Sequence, residues 1–425
     1  MAPTLAENAS LNARETASGA IVLRSWPTRA WFSITGKCNL LCTHCPRSLL
    51  EEKHLSSAEM PRSVFERVQA QIFPWLEVCR IGGNNFGEQL FSRHWNEYSA
   101  GMRQFAFTPW VISNAQVMNS ARIRELVEAG YVIDISIDAA SPHKYREIRG
   151  ASLDKLIEHV REIVRVRAAI DATGDARRRC RVIFSFTAFA ENVDELPGLV
   201  RLAADLDVDA ITVTHYMPTL EEQRYQSLFY HQSTANRIFD EARRLAAELN
   251  VEIELPPPYR VESLSQAACL KPAARKRLGR PVQEPAHADG DTRPPPCAHP
   301  WTSVSIDENG QVFPCCQSNL LLGDLRTSSF AEIWNGKRYQ RLRKTVNSAQ
   351  PLADCRRCVL RGETFTSVDC AEPAFFLRAI DGVVPRADRF RRVRELVGRS
   401  RGGRWIWRQL RHAYKNFFEW HLATR

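Results

Sequence analysis

The apolar positions in the first half of the chain follow two different periods. Six short runs rich in β-branched and aromatic residues predict strands, at 31–35, 78–81, 110–113, 132–137, 182–186 and 210–214. Between them, apolar residues recur every three or four positions, which predicts helices at 62–71, 120–129, 153–168 and 193–206. Strands that alternate with helices form parallel sheets, whose functional side chains lie at the carboxyl ends of the strands. The pattern therefore predicts an α/β fold with six β/α repeats.

The composition is that of a globular protein, since 44% of the 425 residues are hydrophobic and 25% are charged. No uninterrupted apolar stretch is long enough to span a bilayer, and the N-terminus lacks the basic head and apolar centre of a signal peptide. We therefore expect a cytoplasmic protein. In such a chain, twelve cysteines that fall into clusters indicate metal sites rather than the disulfides of a small secreted domain.

Three cysteines form a compact loop directly after the first predicted strand. Cys38, Cys42 and Cys45 have the spacing Cys-x3-Cys-x2-Cys, which can wrap one 4Fe-4S cluster. Three thiolates leave one of the four irons for a ligand from outside the protein. The alternative is a structural zinc or disulfide loop, although zinc sites with four ligands usually pair two separated Cys-x2-Cys hairpins.

This cysteine loop resembles that of the radical S-adenosylmethionine (SAM) superfamily. The resemblance implies a partial (β/α)6 TIM-like barrel in which the amine and carboxylate of SAM bind the open iron. It also implies an electron donor such as flavodoxin or ferredoxin. His44, before the last loop cysteine, occupies a position where the superfamily often has an aromatic residue against adenine, so we expect an adenine contact there. A turn histidine is the alternative.

Further segments at predicted strand ends resemble SAM-binding motifs of the same superfamily. Gly87-Glu88-Gln89 resembles its Gly-Gly-Glu motif, which implies that Glu88 binds the SAM amine, although the family usually has Gly-Glu-Pro. Asn114 lies in a segment similar to the Thr-Asn-Gly turn, near SAM or substrate. The fourth strand and the loop after it supply candidates for the ribose and carboxylate of SAM: Ser136, Asp138 and Arg149. Turn and cap chemistry is the alternative for each of these polar residues.

A second cysteine group follows a segment at 271–296 whose proline, charge and small residues predict a linker. Asn309-Gly310 predicts a hairpin between two short strands. Four cysteines could hold a second 4Fe-4S cluster: Cys297, Cys315, Cys355 and Cys358. Their pattern resembles the SPASM or shorter twitch extension of radical SAM enzymes, and a zinc ribbon is the alternative.

The remaining cysteines divide into two kinds. Cys316 adjoins Cys315 and is an alternative ligand, and Cys370 is a further candidate. Full SPASM domains show a Cys-x2-Cys-x5-Cys-x3-Cys run, which is missing after Cys355, so we expect one auxiliary cluster. Cysteines without clustered partners are interpreted as small apolar residues: Cys79, Cys180 and Cys269. His215, after the sixth strand, is a candidate substrate contact, with a structural histidine as the alternative.

The C-terminal tail is strongly basic. From Arg386 to Arg425 there are twelve Lys and Arg residues against three Asp and Glu residues, interleaved with aromatic residues. This pattern predicts a helix that attaches peripherally to anionic membranes, while a helix packed on the barrel is the alternative. No nucleic-acid partner is expected, since no binding module is recognised.

Together these features predict an N-terminal extension at 1–25, a radical SAM barrel at 26–270, the linker, a SPASM or twitch domain at 297–375 and the tail at 376–425. We expect an enzyme that uses SAM to dehydrogenate or epimerise a small-molecule or carbohydrate-type substrate, because the N-terminal extension and the cluster extension both look short for a peptide maturase. A peptide or protein maturase of the SPASM type is one alternative. A non-catalytic electron-relay protein is the other.

Overall fold

The computed structural model describes residues 4–49, 58–83, 87–174, 178–216, 218, 221–259 and 296–356. The linker, Cys269, Cys358, Cys370 and the basic tail lie outside these ranges. The strands are β1 Arg29–Phe32, β2 Val78–Ile81, β3 Thr108–Ser113, β4 Val132–Ser136, β5 Arg181–Ala188, β6 Ala210–His215, β7 Glu252–Glu254, β8 Ser303–Ile306, β9 Gln311–Phe313 and β10 Gly323–Asp324.

Helices connect the strands. They are α1 Leu5–Ser18, α2 Pro46–Leu49, α3 Arg62–Gln71, α4 Trp95–Met102, α5 Ser120–Glu128, α6 Pro142–Arg149, α7 Leu153–Asp171, α8 Leu196–Asp205 and α9 Gln232–Glu248. Near the end of the described chain follow α10 His299–Thr302, α11 Phe330–Trp334, α12 Lys337–Thr345 and α13 Ala353–Arg356. Short 3-10 turns occur at Phe73–Trp75, Gln89–Phe91, Val193–Glu195, Glu221–Gln226 and Leu228–Tyr230. None of the helices within the described ranges has both the length and the hydropathy that crossing a bilayer requires.

The described strands form one sheet in the order β10-β9-β8-β1-β2-β3-β4-β5-β6-β7. Strands β1 to β7 pair in parallel in chain order, with helices between them, which confirms the predicted α/β class. Strand β8 joins the free edge of β1 in parallel, and β9 turns back on it through the predicted hairpin at Asn309-Gly310. The sheet thus runs unbroken from the barrel strands into the second cysteine segment, while the domain limits stay predictions.

The two faces of the sheet differ in polarity. One face packs on the helices with apolar side chains such as Phe32, Cys79, Ile81 and Val111, none of which is exposed. Cys180 is also buried in this core. Of the three cysteines predicted to be small apolar residues, the structure describes Cys79 and Cys180, and both are buried. The opposite face points away from the helices, as the interior of a TIM-like barrel does. We call it the inner face; it carries Trp31, Arg80, Trp110, Asp134 and Ser185.

The predicted elements differ from the observed ones at several places, of which three have a clear physical reason. The first strand ends at Phe32 rather than at 35, because beyond it a glutamine side chain takes over the backbone hydrogen bonds of Ile34 and Thr35. The helix predicted at 193–206 begins as a 3-10 turn and becomes α-helical at Leu196, next to Pro197. Strand β7 was missed, since three residues that read Glu-Ile-Glu give no apolar run.

The predicted N-terminal extension contains helix α1, whose buried residues are polar: Asn8, Asn12 and Glu15. Asn12 donates its Nδ2 hydrogens to the carbonyl oxygen of Trp301 at 2.8 Å and to Ser25 Oγ at 3.0 Å. Trp334 donates its indole N–H to the carbonyl oxygen of Ser25 at 2.9 Å. Hydrogen bonds of this kind tie residues 20–26 to both α1 and the second cysteine segment.

Candidate functional site

The cysteine loop leaves the carboxyl end of β1 and packs on the end of helix α6. The Thr43 N–H donates to the carbonyl oxygen of Ile148 at 2.9 Å, and Cys42 Sγ lies 4.0 Å from the carbonyl oxygen of Arg149. Gly150 ends α6 in a left-handed conformation with φ +68°, which turns the chain away at this contact. The loop is therefore held by backbone contacts as well as by its own turns.

Burial raises the pKa of all three loop thiols, and that of Cys45 to about 11. Thiolates at this place therefore need nearby positive charge, which iron supplies when a cluster is bound. Among the described residues, no three His, Cys, Asp or Glu side chains form a group that could hold a single metal ion. A cubane binds each cysteine through a different iron, so the three sulfurs of the loop fit a cluster better than a lone ion.

Glu88 is a buried carboxylate at the carboxyl edge of β2, with 4% of its surface exposed. Its Oε2 accepts the backbone N–H of Asn114 at 2.7 Å, and its Oε1 accepts the hydroxyl of Ser113 at 2.9 Å. Its own N–H donates to the carbonyl oxygen of Lys37, the residue before the first loop cysteine, at 2.7 Å. Burial raises the pKa of Glu88 to about 7, although these hydrogen bonds lower it. A cation beside this carboxylate would be strongly stabilised.

The residues on either side of Glu88 fix its position. A methyl group on Gly87 would lie 2.1 Å from the carbonyl oxygen of Thr35, so only glycine lets these two backbones approach each other. Gln89 is fully buried, and its side chain accepts from the N–H groups of Ile34 and Thr35 at 2.8 and 3.3 Å. It also donates to the carbonyl oxygens of Thr35 and Gly87 at 3.2 and 3.0 Å. The glutamine thus joins the ends of two strands.

Asn114 follows β3 and faces the cysteine loop. Its Nδ2 donates to Asn39 Oδ1 at 2.9 Å and lies 3.8 Å from Cys38 Sγ. Its Oδ1 accepts the N–H of Gln116, and Ala115 between them has φ +56°, a conformation that few residues other than glycine adopt. Glu88, Asn114 and Cys38 are therefore brought together, as the sequence predicts for neighbouring strand ends.

A second group forms around Asp138, which is not exposed. Its Oδ2 lies 2.6 Å from Arg149 Nη2 and 3.3 Å from His44 Nε2, and its Oδ1 accepts the N–H of Thr187 at 2.9 Å. Arg149 Nη1 lies 3.9 Å from Cys42 Sγ. Burial lowers the pKa of Arg149, but the carboxylate of Asp138 and the thiol of Cys42 raise it by more. The guanidinium is thus held by Asp138 beside the loop.

His44 lies over this group with its ring 5.5 Å from Phe189 and 6.4 Å from Tyr216. Burial lowers its pKa, against the opposing effect of Asp138. Its Nδ1 is buried and has no hydrogen-bond partner among the described residues. The adenine contact predicted for His44 stays a prediction, as do the SAM contacts predicted for Glu88, Asn114 and Arg149.

Two predicted residues lie apart from these groups. Ser136 ends β4 on the side of the inner face and pairs in register with Ser185. His215 ends β6, where its Nδ1 lies 3.2 Å from the hydroxyl of Tyr259 and its ring contacts Phe239. Burial lowers the pKa of His215 to about 4, so the ring is neutral, which favours the structural alternative.

The second cysteine group surrounds one cavity. Cys297, Cys315 and Cys355 line it together with His299, Ser318 and Asp354. Cys297 is fixed by reciprocal hydrogen bonds with Asn347, of 2.8 and 3.1 Å. Cys315 is one of the described residues that line this cavity. The adjacent Cys316 is not among them, and it acts electrostatically on Arg80. Cys358 lies outside the described residues.

The roles of Gln89 and of the polar residues on the inner face were not predicted from the sequence. Gln89 stands where the family usually has proline, and this departure is the signal that would have marked it. For Arg80 the signal is a cation within a four-residue strand whose other residues are apolar, Val-Cys-Arg-Ile.

The comparisons with known proteins agree with this arrangement. The family model of SPASM, an iron-sulfur cluster-binding domain, matches residues 297–359. The "tungsten-containing aldehyde ferredoxin oxidoreductase cofactor-modifying protein" of Pyrococcus furiosus is 23% identical over 352 residues, which are 80% of this chain and 90% of that protein. The GTP 3',8-cyclase of Alkaliphilus oremlandii is 27% identical over 296 residues, 68% of this chain and 80% of that enzyme.

Solved structures share the fold. Streptococcus suis SuiB bound to precursor peptide SuiA has a TM-score of 0.52 at 16% identity, over 79% of this chain and 70% of that chain. The enzyme anSMEcpe with bound AdoMet and Kp18Cys peptide has a TM-score of 0.51 at 14% identity, over 85% of this chain and all of that chain. Together these matches confirm the predicted resemblance to radical SAM enzymes that carry a SPASM domain, and they support 4Fe-4S clusters and SAM as the cofactors.

Proposed function

We propose that this enzyme dehydrogenates or epimerises a small-molecule substrate, with one auxiliary cluster that serves in electron transfer. When bound, the first cluster and SAM supply reductive cleavage of SAM and removal of a hydrogen atom from the substrate. The proposal rests on two groups of polar side chains at the cysteine loop. Glu88 and Asn114 lie beside Cys38. Arg149, Asp138 and His44 lie beside Cys42.

Each of these residues has a role that its surroundings support. Cys38, Cys42 and Cys45 hold the cluster. Glu88 accepts the ammonium of SAM, because a buried carboxylate with a raised pKa gains most from a cation. Asn114 positions Cys38 and the polar end of SAM. Arg149, fixed by Asp138, sets the charge beside Cys42, and His44 provides an aromatic surface for adenine.

The auxiliary cluster is proposed to lie in the cavity lined by Cys297, Cys315 and Cys355, with Cys358 as the fourth ligand. Cys315 rather than Cys316 is the proposed ligand, because it shares this cavity. Such a cluster has no open iron, so its chemistry is electron transfer, and flavodoxin or ferredoxin is the proposed donor for the enzyme.

Two observations bear on the substrate. The sequence relatives are named for a cofactor-modifying activity and for a cyclase of GTP, which favours a small molecule. The second candidate is peptide modification, favoured by the solved structures of similar fold that contain peptides. The basic tail leaves a peripheral membrane contact as a further proposal.

The test is SAM cleavage by the full-length protein, reduced and reconstituted without oxygen. We expect 5′-deoxyadenosine from the wild type and a large loss in Glu88→Gln. Glu15→Gln is the matched control, since Glu15 is also buried but lies in α1. Equal loss in both variants, or none in Glu88→Gln, would contradict the role of Glu88. Untargeted metabolite profiling of a deletion strain then decides between a small molecule and a peptide.

A further inference from the structure

We propose that the inner face holds an anionic group of the substrate, a carboxylate or a phosphate, and that Arg80 binds it. The inference rests on the proposed function, because it names the chemistry of that enzyme's substrate. Arg80 is a charged side chain in the middle of a strand whose other residues are apolar.

Arg80 lies on the inner face by its position in β2. Its strand neighbours Cys79 and Ile81 are not exposed and belong to the apolar core, and side chains alternate along a strand. In register, Arg80 pairs with Trp31 on β1 and with Trp110 on β3. Arg80 therefore has a tryptophan beside it on each neighbouring strand of the inner face.

The guanidinium of Arg80 is held in place without being neutralised. Its central carbon lies 3.8 Å from the centroid of the Trp110 ring, a cation–π contact. Among the residues that the structure describes, no carboxylate lies within salt-bridge distance of it and no side-chain hydrogen bond uses it. Its five N–H donors form a planar fork that matches the two oxygens of a carboxylate or phosphate.

The carboxylate that acts most strongly on Arg80 binds Trp110 instead. Asp134 is buried, its Oδ2 accepts the indole N–H of Trp110 at 3.0 Å, and its Oδ1 accepts the hydroxyl of Ser185. Both oxygens are thus used to fix the ring on which Arg80 stacks. The Trp110 ring, the carboxylate of Asp134 and the hydroxyl of Ser185 come from three successive strands, β3, β4 and β5.

The charge of Arg80 is costly where it lies. Burial lowers its pKa; Asp134, Cys316 and the exposed Glu254 oppose this effect, and the exposed Arg29 adds to it. A guanidinium stays protonated at neutral pH even so, and the attraction of Asp134, which makes no salt bridge with Arg80 among the described residues, compensates only part of the cost of a half-buried cation. An anionic ligand would remove this penalty.

The position of Arg80 suits a substrate. Gly82 and Gly83 follow it toward Glu88, both with positive φ, and a methyl group on Gly83 would lie 2.8 Å from Ile112 Cδ1. On the other side, the ring of Trp31 lies 5.5 Å from that of His299, which lines the auxiliary cavity. Arg80 therefore lies on the sheet that joins the two cysteine sites, and in the proposed function the substrate reaches both.

The first test uses the wild-type holoenzyme, so it does not depend on the folding of a variant. Phenylglyoxal labels arginine side chains, and mass spectrometry of peptides reports the rate at Arg80. Phosphate or acetate at about ten times its dissociation constant should slow this rate about tenfold, while chloride at equal ionic strength should not. Whether phosphate, acetate or both slow the labelling of Arg80 identifies the kind of anion that it binds. Slowing by neither, or equal slowing by chloride, overturns the proposal.

Arg178 is the internal control for labelling, because its guanidinium donates to the carbonyl oxygens of Ala106 and Phe107 and should not respond to the anions. In a second test, phosphate or acetate should raise the melting temperature of the wild type but not of Arg80→Gln. Without anion, the variant should melt close to the wild type, since it loses the burial cost of the charge together with the cation–π contact with Trp110. A lowered melting temperature in Arg80→Gln would assign Arg80 a structural role and overturn the inference.

SAM cleavage separates this inference from the proposed function. Arg80 does not contact the cysteine loop, so Arg80→Gln should cleave SAM within about twofold of the wild-type rate when no substrate is present. Loss of SAM cleavage in the wild type would contradict the proposed function and leave the anion result unaffected.

Discussion

Replacing Gln89 by leucine should lower the stability of the protein by several kcal/mol. The glutamine is fully buried, and its amide makes four hydrogen bonds to the backbone of Ile34, Thr35 and Gly87. Strand β1 has already ended at Phe32, so no neighbouring strand replaces these bonds. Leucine keeps the volume of the side chain but offers neither a donor nor an acceptor.

The magnitude follows from the orphaned groups. A buried polar group without a partner costs about 1–3 kcal/mol, and relaxation or water recovers part of this where several groups lie together. We therefore expect Gln89→Leu to reduce the free energy of unfolding by about 3–5 kcal/mol. Because Gln89 holds the backbone beside Glu88, affinity for SAM should fall as well.

Urea denaturation of the cluster-free protein, without oxygen, measures this change. Gln69→Leu is the matched control, since Gln69 on α3 makes one exposed contact of 3.4 Å and should change stability by less than about 0.5 kcal/mol. A Gln89→Leu variant within about 1 kcal/mol of the wild type would show that the four backbone hydrogen bonds carry no net stability, contrary to this prediction.

Three further predictions follow from burial, from the second cavity and from the tail. Burial raises the pKa of Glu88 to about 7 from an ordinary value of 4.5, so the folded protein holds a proton that the unfolded chain has lost between these values. Relative to Glu88→Gln, the free energy of unfolding of the cluster-free wild type should therefore fall as pH rises through this window, by up to about 1.4 kcal/mol per unit, and an equal pH dependence in the two proteins would contradict the raised pKa of Glu88. Cys315→Ala should lose the iron of the auxiliary site while Cys316→Ala retains it; the reverse would move the ligand to Cys316. The full-length protein should sediment with anionic liposomes in a salt-sensitive way and a chain truncated before Arg399 should not, whereas equal sedimentation of both would refute membrane attachment.

The helices and strands were predictable where the apolar residues follow a single period, that of a strand or that of a helix. The bounds of β2 and α3 match the prediction because each has a clear apolar pattern and a clear stop. The first strand shifted because the hydrogen bonds of Ile34 and Thr35 go to Gln89, a residue that lies about fifty positions away in sequence. A hydrogen bond between residues so far apart in sequence leaves no signal in the local pattern of apolar and polar residues.

The candidate site was predictable in its residue types but not in its pairings. The spacing of Cys38, Cys42 and Cys45 carries its chemistry in the sequence itself. That Arg149 is held by Asp138 and lies beside Cys42 depends on where helix α6 ends against the loop, which only the folded chain determines. The inner face was missed for the same reason, since an arginine in a strand has no meaning until Trp110 and Asp134 lie beside it.

The central claim is that this chain holds two clusters, of which only the first cleaves SAM. Iron counts with electron paramagnetic resonance on protein purified without oxygen test it most directly, in the wild type and in a variant with Cys38, Cys42 and Cys45 all changed to alanine. The account predicts about eight irons in the wild type and about four in the variant, which should produce no 5′-deoxyadenosine. A wild type with about four irons and bound zinc, or a variant that still cleaves SAM, would contradict it.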